Sequence, residues 1–245
     1  MTKLSNILGG IAILAVGLGL SGPLAASENA KPLTVVELFS SQGCNSCPPA
    51  NVLVGKLAKR DGILVLSWNV DYWDYLGWKD TLALPGNADR QRAYNKQLGR
   101  RGVYTPEIVV QGKFEVRGAD RTAVEDRIAQ ARSNHHLQIG VSEASGKLTL
   151  RVAANGGAVP ASPCNISLVK YDKMITVPIS AGENRGAEVT YTNVVTGVEE
   201  LGIWQGGVVE LEMERGSLSK GGNAILVQEG VGGPLIAAHV IELPR

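Results

Sequence analysis

Cys44 and Cys47, with Asn45-Ser46 between them, are the residues of this 245-residue chain best placed to do chemistry. Two thiols at this spacing form and break a disulfide, because the second sulfur reaches the first. The pair follows an apolar run, Leu33-Thr34-Val35-Val36-Glu37-Leu38-Phe39, and precedes Pro48-Pro49 and a helical pattern. A strand that delivers a C-x-x-C pair to the first turn of a helix is the usual build of a redox-active dithiol. The helix start offers unpaired N–H groups and a partial positive charge, which favour thiolate over thiol. A thiol so placed can drop from ~8.5 to between ~3.5 and ~7.5 in pKa. Cys44 is therefore the expected attacking thiolate, and Cys47, one turn further in, the resolving thiol. Pro48 costs nothing there, since the N–H it lacks would be spare. A static structural bridge is the alternative use of the same two residues.

Metal chemistry competes for the pair. A structural zinc site needs four ligands, and the remaining candidates are Cys164, His135, His136 and His239, with no second C-x-x-C. No metal and no cofactor are expected. Capture of Cu(I) by the two thiolates is a weaker possibility, disfavoured by a methionine count of three. Cys164 has no evident partner and reads as a buried free thiol, with a reactive site as the alternative.

The compartment decides between these chemistries. Lys3, the apolar stretch Ile7 to Leu20 and the small residues Ala25-Ala26-Ser27 form the pattern of a secretory signal peptide over residues 1–27. The apolar stretch, about 14 residues, is short for a membrane span, which needs roughly 20. A periplasmic or secreted protein without a membrane span after cleavage is expected, and in that setting disulfide chemistry is the default.

The elements that must position the pair read in order. Residues 33–39 form a strand buried on both faces, residues 48–60 a helix with Val52, Leu53, Leu57 and Ala58 on one face, and Ile63 to Val70 a second buried strand. Together they make a βαβ unit with parallel strands. Asp71 to Pro85 is irregular and aromatic. Asn87 to Leu98 is helical, with Asp89 early and Arg100-Arg101 at the end, as the helix dipole prefers. Glu107 to Gln111 and Lys113 to Arg117 flank a Gln111-Gly112 hairpin turn, and Arg121 to Arg132 is an amphipathic helix. Beyond Leu137 short alternating runs at 147–153, 165–171, 176–179, 188–195, 208–213, 224–229 and 235–243 suggest an all-β, sandwich-like unit. The expected units are residues 31–135 and 138–245, with the boundary around Ser133-Asn134-His135-His136.

Formal charge is +1, so nothing argues for nucleic acid as a partner. Residues 31–135 carry 15 Lys+Arg against 11 Asp+Glu, and residues 136–245 carry 8 against 11. Two units of opposite sign would attract weakly.

The order β-α-β, insertion, α-β-β-α resembles the thioredoxin fold: an α/β domain with a central mixed sheet flanked by helices, here with an aromatic insertion. Val36-Glu37-Leu38-Phe39 resembles the thioredoxin strand that buries an acidic residue beneath the dithiol. Tyr104-Thr105-Pro106 resembles the loop that carries a cis-proline facing the active site. The stretches Glu37 to Ala50, Asn69 to Trp78, Val103 to Pro106 and Tyr191 to Val195 further resemble a family of secreted bacterial thioredoxin-like proteins of uncharacterised function. Asn51 stands where that family commonly carries Asp, and Asn45-Ser46 replaces the Gly-Pro of thioredoxin.

The resemblance implies a thiol–disulfide oxidoreductase acting on protein or peptide thiols and disulfides, with an unidentified recycling partner. In that reading Pro106 is cis and exposes the Thr105 backbone to an extended substrate. Tyr72, Trp73 and Trp78 either rim the substrate groove or pack the insertion against the sheet. Glu37 either relays protons to the dithiol or pairs with Lys56, Lys59 or a loop donor, since a buried carboxylate requires a partner. A non-catalytic periplasmic binding protein with a structural Cys44–Cys47 bridge is the alternative.

Overall fold

The computed structural model describes residues 32–131, 137–154, 156, 160 and 162–242. The signal-peptide segment, His135 and His136 lie outside the described residues, as does most of the expected boundary. The first half follows the expected order: β1 (Thr34–Ser40), α1 (Pro48–Leu57), β2 (Ile63–Asn69), a single 3-10 turn (Asp74–Leu76), α2 (Asn87–Gln97), β3 (Glu107–Val110), β4 (Phe114–Arg117) and α3 (Arg121–Ala131). β1 pairs in parallel with β2 and antiparallel with β3, and β3 pairs antiparallel with β4. Gln111 and Gly112 both take positive φ in the turn between β3 and β4, the backbone a tight hairpin needs.

Side-chain alternation sorts β1 onto two cores. Val36 and Leu38 meet Ala50, Leu53, Val54 and Leu57 of α1 and Val124 and Ile128 of α3; Val52, expected on that face, is 58% exposed, and Val54 packs inward in its place. Val35 and Phe39 meet Ala88 and Tyr94 of α2 on the opposite face. The result is a central mixed sheet flanked by helices, the thioredoxin-like topology.

The second half supplies β5 (Leu137–Ala144), β6 (Lys147–Ala154), β7 (Cys164–Pro178), β8 (Glu188–Trp204), β9 (Val208–Glu214), β10 (Gly222–Glu229) and β11 (Leu235–Ile241). The separate all-β sandwich expected from the sequence is not what these strands build. Four of them continue the first sheet, giving the eight-strand order β11-β10-β7-β8-β2-β1-β3-β4, while β5-β6-β9 form a second, three-stranded sheet. β8 joins the open edge of β2 in parallel at Ser67 and Val194. The α2-face core then runs through both halves: Phe39, Trp68 and Tyr94 share it with Val169, Tyr171, Val195, Leu226 and Leu235. The small sheet covers the far end, burying Leu148, Leu150 and Val152 with Ile166, Leu168, Ile225 and Val227.

The join is apolar and hydrogen-bonded. Among the described residues no ion pair crosses it, so the charge asymmetry between the halves is not what holds them. Gln111 is one stitch: its Oε1 accepts the Val35 N–H at 2.9 Å while its Nε2 donates to the Leu235 carbonyl at 2.6 Å.

Candidate functional site

Where β1 ends, the chain turns through Ser41-Gln42-Gly43 and reaches a disulfide between Cys44 and Cys47. Cys47 is the N-cap of α1, with Pro48 and Pro49 in the first turn, where a missing N–H is harmless. The Cys47 N–H donates to the Cys44 carbonyl at 3.2 Å, and the Cys47 carbonyl accepts the N–H groups of Ala50 and Asn51 at 3.0 and 3.1 Å. Both cysteines are buried, Cys44 at 4% exposure and Cys47 at 0%.

Three side chains from distant segments hold this loop. Asp80 accepts the Gln42 N–H at 2.7 Å and Asn69 Nδ2 at 2.9 Å. Its burial raises its pKa above the ordinary carboxylate value against the pull of these hydrogen bonds. Trp78 Nε1 donates to Gln42 Oε1 at 2.8 Å. Asn184, in the turn between β7 and β8, donates from Nδ2 to the carbonyls of both Gln42 and Cys44 at 2.8 Å.

The Thr105–Pro106 peptide is cis. Trp73 ties this loop to the disulfide loop: its Nε1 donates to Thr105 Oγ1 at 2.7 Å, and its Cβ lies 3.1 Å from where a Cβ on Gly43 would stand. A Cβ on Gly118 would fall 2.9 Å from Pro106 Cβ and 3.1 Å from Ala50 Cβ. Glycine at 118 thus lets Pro106 close on the first turn of α1. Of the aromatic trio, Trp73 and Trp78 are brought to the two loops, whereas the Tyr72 hydroxyl donates to Gln91 Oε1 of α2 at 3.2 Å. Trp68 is a core residue, 1% exposed.

Glu37 is wholly buried on the α2 face. Its Oε1 accepts Arg90 Nε at 2.8 Å, its Oε2 accepts the Tyr94 hydroxyl, and Arg90 lies 4.7 Å over the Trp68 ring. Arg90, not Lys56 or Lys59, is therefore its partner. Strand alternation turns Glu37 away from α1 and the lysines at its end.

Glu107 is a second buried carboxyl, which the sequence reading passed over. It opposes Phe39 across the β1–β3 ladder, and its Oε2 accepts Gln91 Nε2 at 2.5 Å and Asn95 Nδ2 at 3.1 Å. Its Oε1 has no partner among the described residues. Burial pushes its pKa up to about 7. The available signal was an acid directly after Thr105-Pro106 that opens the apolar run Ile108-Val109-Val110. Asn184 had no local signal, because its partners lie 140 and 142 residues away.

Among the described residues no three His, Cys, Asp or Glu side chains gather as a metal site would need. Cys164 is a free, buried thiol, pushed up to about 11 by desolvation. His239 stands in β11, and its burial lowers its pKa.

A family model described as a protein of unknown function (DUF1223) matches residues 35–228. The chain belongs to that family. A probable thioredoxin of Archaeoglobus fulgidus is 29% identical over 86 residues, 35% of this chain and 75% of that protein. A crystal structure of a protein from Agrobacterium tumefaciens aligns with a TM-score of 0.73 at 29% identity, over 90% of this chain and 100% of that one. The similarity to thioredoxin is weak but real and covers about a third of the chain. The likeness to the Agrobacterium protein spans both halves. The site is thus a C-x-x-C pair on a thioredoxin-like fold, in a family whose function is unknown.

Proposed function

We propose that this is an exported thiol–disulfide oxidoreductase, working in the periplasm or outside the cell after loss of residues 1–27. The observation that carries the reading is the Cys44–Cys47 disulfide at the first turn of α1, bordered by the cis Thr105–Pro106 loop. A partner thiolate attacks Cys44 Sγ, the Cys44–Cys47 bond breaks, and Cys47 leaves as a thiolate that takes up a proton. A second partner thiol then displaces Cys44, so the partner leaves as a disulfide and the pair as a dithiol. Run backwards, the same steps reduce a partner disulfide. Protein or peptide thiols are the substrate class. An extended segment would pair with the Thr105 backbone beside Pro106, between Trp73 and Trp78. Tyr72 supports this groove through Gln91, and Glu37 acts at a distance by fixing α2 through Arg90. In this reading the β-rich residues 138–245 close the site from the Asn184 side.

A second reading has one observation in its favour. Cys44 is only 4% exposed, as suits a stable bridge in a binding protein. Measuring the Cys44–Cys47 potential by alkylation and mass spectrometry in glutathione buffers separates the two. A catalytic pair is expected above roughly −300 mV, and a structural bridge below it. Oxidase or reductase activity that disappears in Cys44→Ser supports exchange; full activity in that variant sinks it.

A further inference from the structure

Asn51 is 2% exposed, and neither its Oδ1 nor its Nδ2 has a hydrogen-bond partner among the described residues. Every other buried side chain left short of partners there lacks one at a single atom. An unpaired buried amide is costly, so its position asks for a reason. Asn51 lies one full turn after Cys47, its N–H bonded to the Cys47 carbonyl at 3.1 Å. Side chains on a helix lean toward its N-terminus and lie over the preceding turn, and that turn carries Cys47. Gly55 continues the same stripe one turn further, where its Cβ would stand 3.2 Å from Thr192 Oγ1. The stripe therefore faces β8 and not solvent.

We infer that Asn51 is the hydrogen-bond partner of the Cys47 sulfur in the reduced pair, and through that bond tunes the redox equilibrium. The inference rests on the exchange reading given above and names a positioning residue for it. A disulfide sulfur accepts hydrogen bonds poorly, whereas a thiolate accepts them well and a thiol also donates. In the disulfide form the amide has no partner among the described residues. Reduction breaks the Cys44 Sγ–Cys47 Sγ bond. Two glutathione thiols supply the electrons and two protons and leave joined as glutathione disulfide. The Cys47 sulfur released by that step can accept from Asn51 Nδ2 as a thiolate or donate to Oδ1 as a thiol. The amide is satisfied only after reduction, so it favours the dithiol and raises the reduction potential.

The test is redox equilibration of the full chain with glutathione, comparing wild type with Asn51→Leu and Asn51→Ala. Leucine matches the volume of the amide, and alanine serves if leucine packs badly. Each is expected to shift the equilibrium about tenfold toward the disulfide, about 30 mV to more negative potential for a two-electron couple. Urea unfolding of both redox forms is the companion readout. Asn51→Leu is expected to stabilise the disulfide form more than the reduced form, whereas a merely structural residue would move both equally. An unshifted or more positive potential in both variants overturns the assignment. That failure is separable from failure of the exchange reading. A wild-type potential below roughly −300 mV without turnover defeats catalysis, yet leaves the Asn51 shift measurable.

Discussion

At the scale of single residues, Glu107, one position after the cis Pro106, is a buried carboxyl whose titration can be tested. Burial lifts its pKa from 4.5 to about 7, so the folded protein holds the protonated form more tightly than the unfolded chain does. The stability this gives is complete below about 4.5 and is lost as pH rises through about 7. Glu107→Gln keeps an oxygen acceptor for Gln91 and Asn95 and removes the titration. Between pH 5 and pH 8 the wild type is expected to lose stability relative to Glu107→Gln, on the order of 3 kcal/mol. Urea unfolding at the two pH values measures the difference, and parallel behaviour of the two proteins would assign the titration elsewhere. Glu37 and Glu107 lie on the same sheet face, Glu37 bonded to Arg90 and Tyr94 and Glu107 to the amides of Gln91 and Asn95. The need for a partner was legible at Glu37 from its place in an apolar strand. The identity of Arg90 was not, since it lies 53 residues away on another element.

Elements meet the sheet through a few such contacts. α2 has little apolar surface for a buried helix, contributing Ala88 and Tyr94 to the core, and polar side chains anchor the rest: Arg90 on Glu37, Gln91 and Asn95 on Glu107, and Asn87 on the Asn69 carbonyl. Arg90→Leu leaves the Glu37 carboxylate buried without its countercharge, which typically costs about 3–5 kcal/mol. The Glu37→Leu/Arg90→Leu double variant is expected to recover most of that loss in thermal or urea unfolding. Equal losses in single and double variants would show that the pair does not carry the docking. β1 and β2 could be read as short continuous apolar runs, since both of their faces are buried, α2 from the placement of its charges, and α3 from the spacing of Val124, Ile128 and Ala131. β8 could be read only to Val195. Beyond it Gly197, Val198, Glu199 and Glu200 show no alternation, and the strand persists because β7 pairs along it, with register shifts at Ile166/Ser167 and Lys170/Tyr171. β5 was missed for a similar reason, as only Leu137 and Ile139 of its eight residues are buried.

At the scale of the whole molecule, the change of texture near Leu137 marks a change of secondary structure, while the main sheet runs on past it. A single core spans both halves on the α2 face, so the full chain is expected to unfold in one cooperative transition, with tryptophan fluorescence and far-UV circular dichroism coincident. Two separated transitions would contradict the shared core. Nothing local announces such a join, because β2 and β8 meet through residues far apart in the chain. The sheet order also governs how the protein comes to be made. Synthesis delivers β1, β2 and both thiols of the C-x-x-C pair well before β8 closes the edge of β2 and Asn184 ties down the Cys44 carbonyl. The growing chain therefore carries three thiols with no finished fold to separate them. Closure is easiest over the shortest loop, so Cys44 meets Cys47 before it meets Cys164. The strands made last then bury Cys164 and take it out of competition for either thiol.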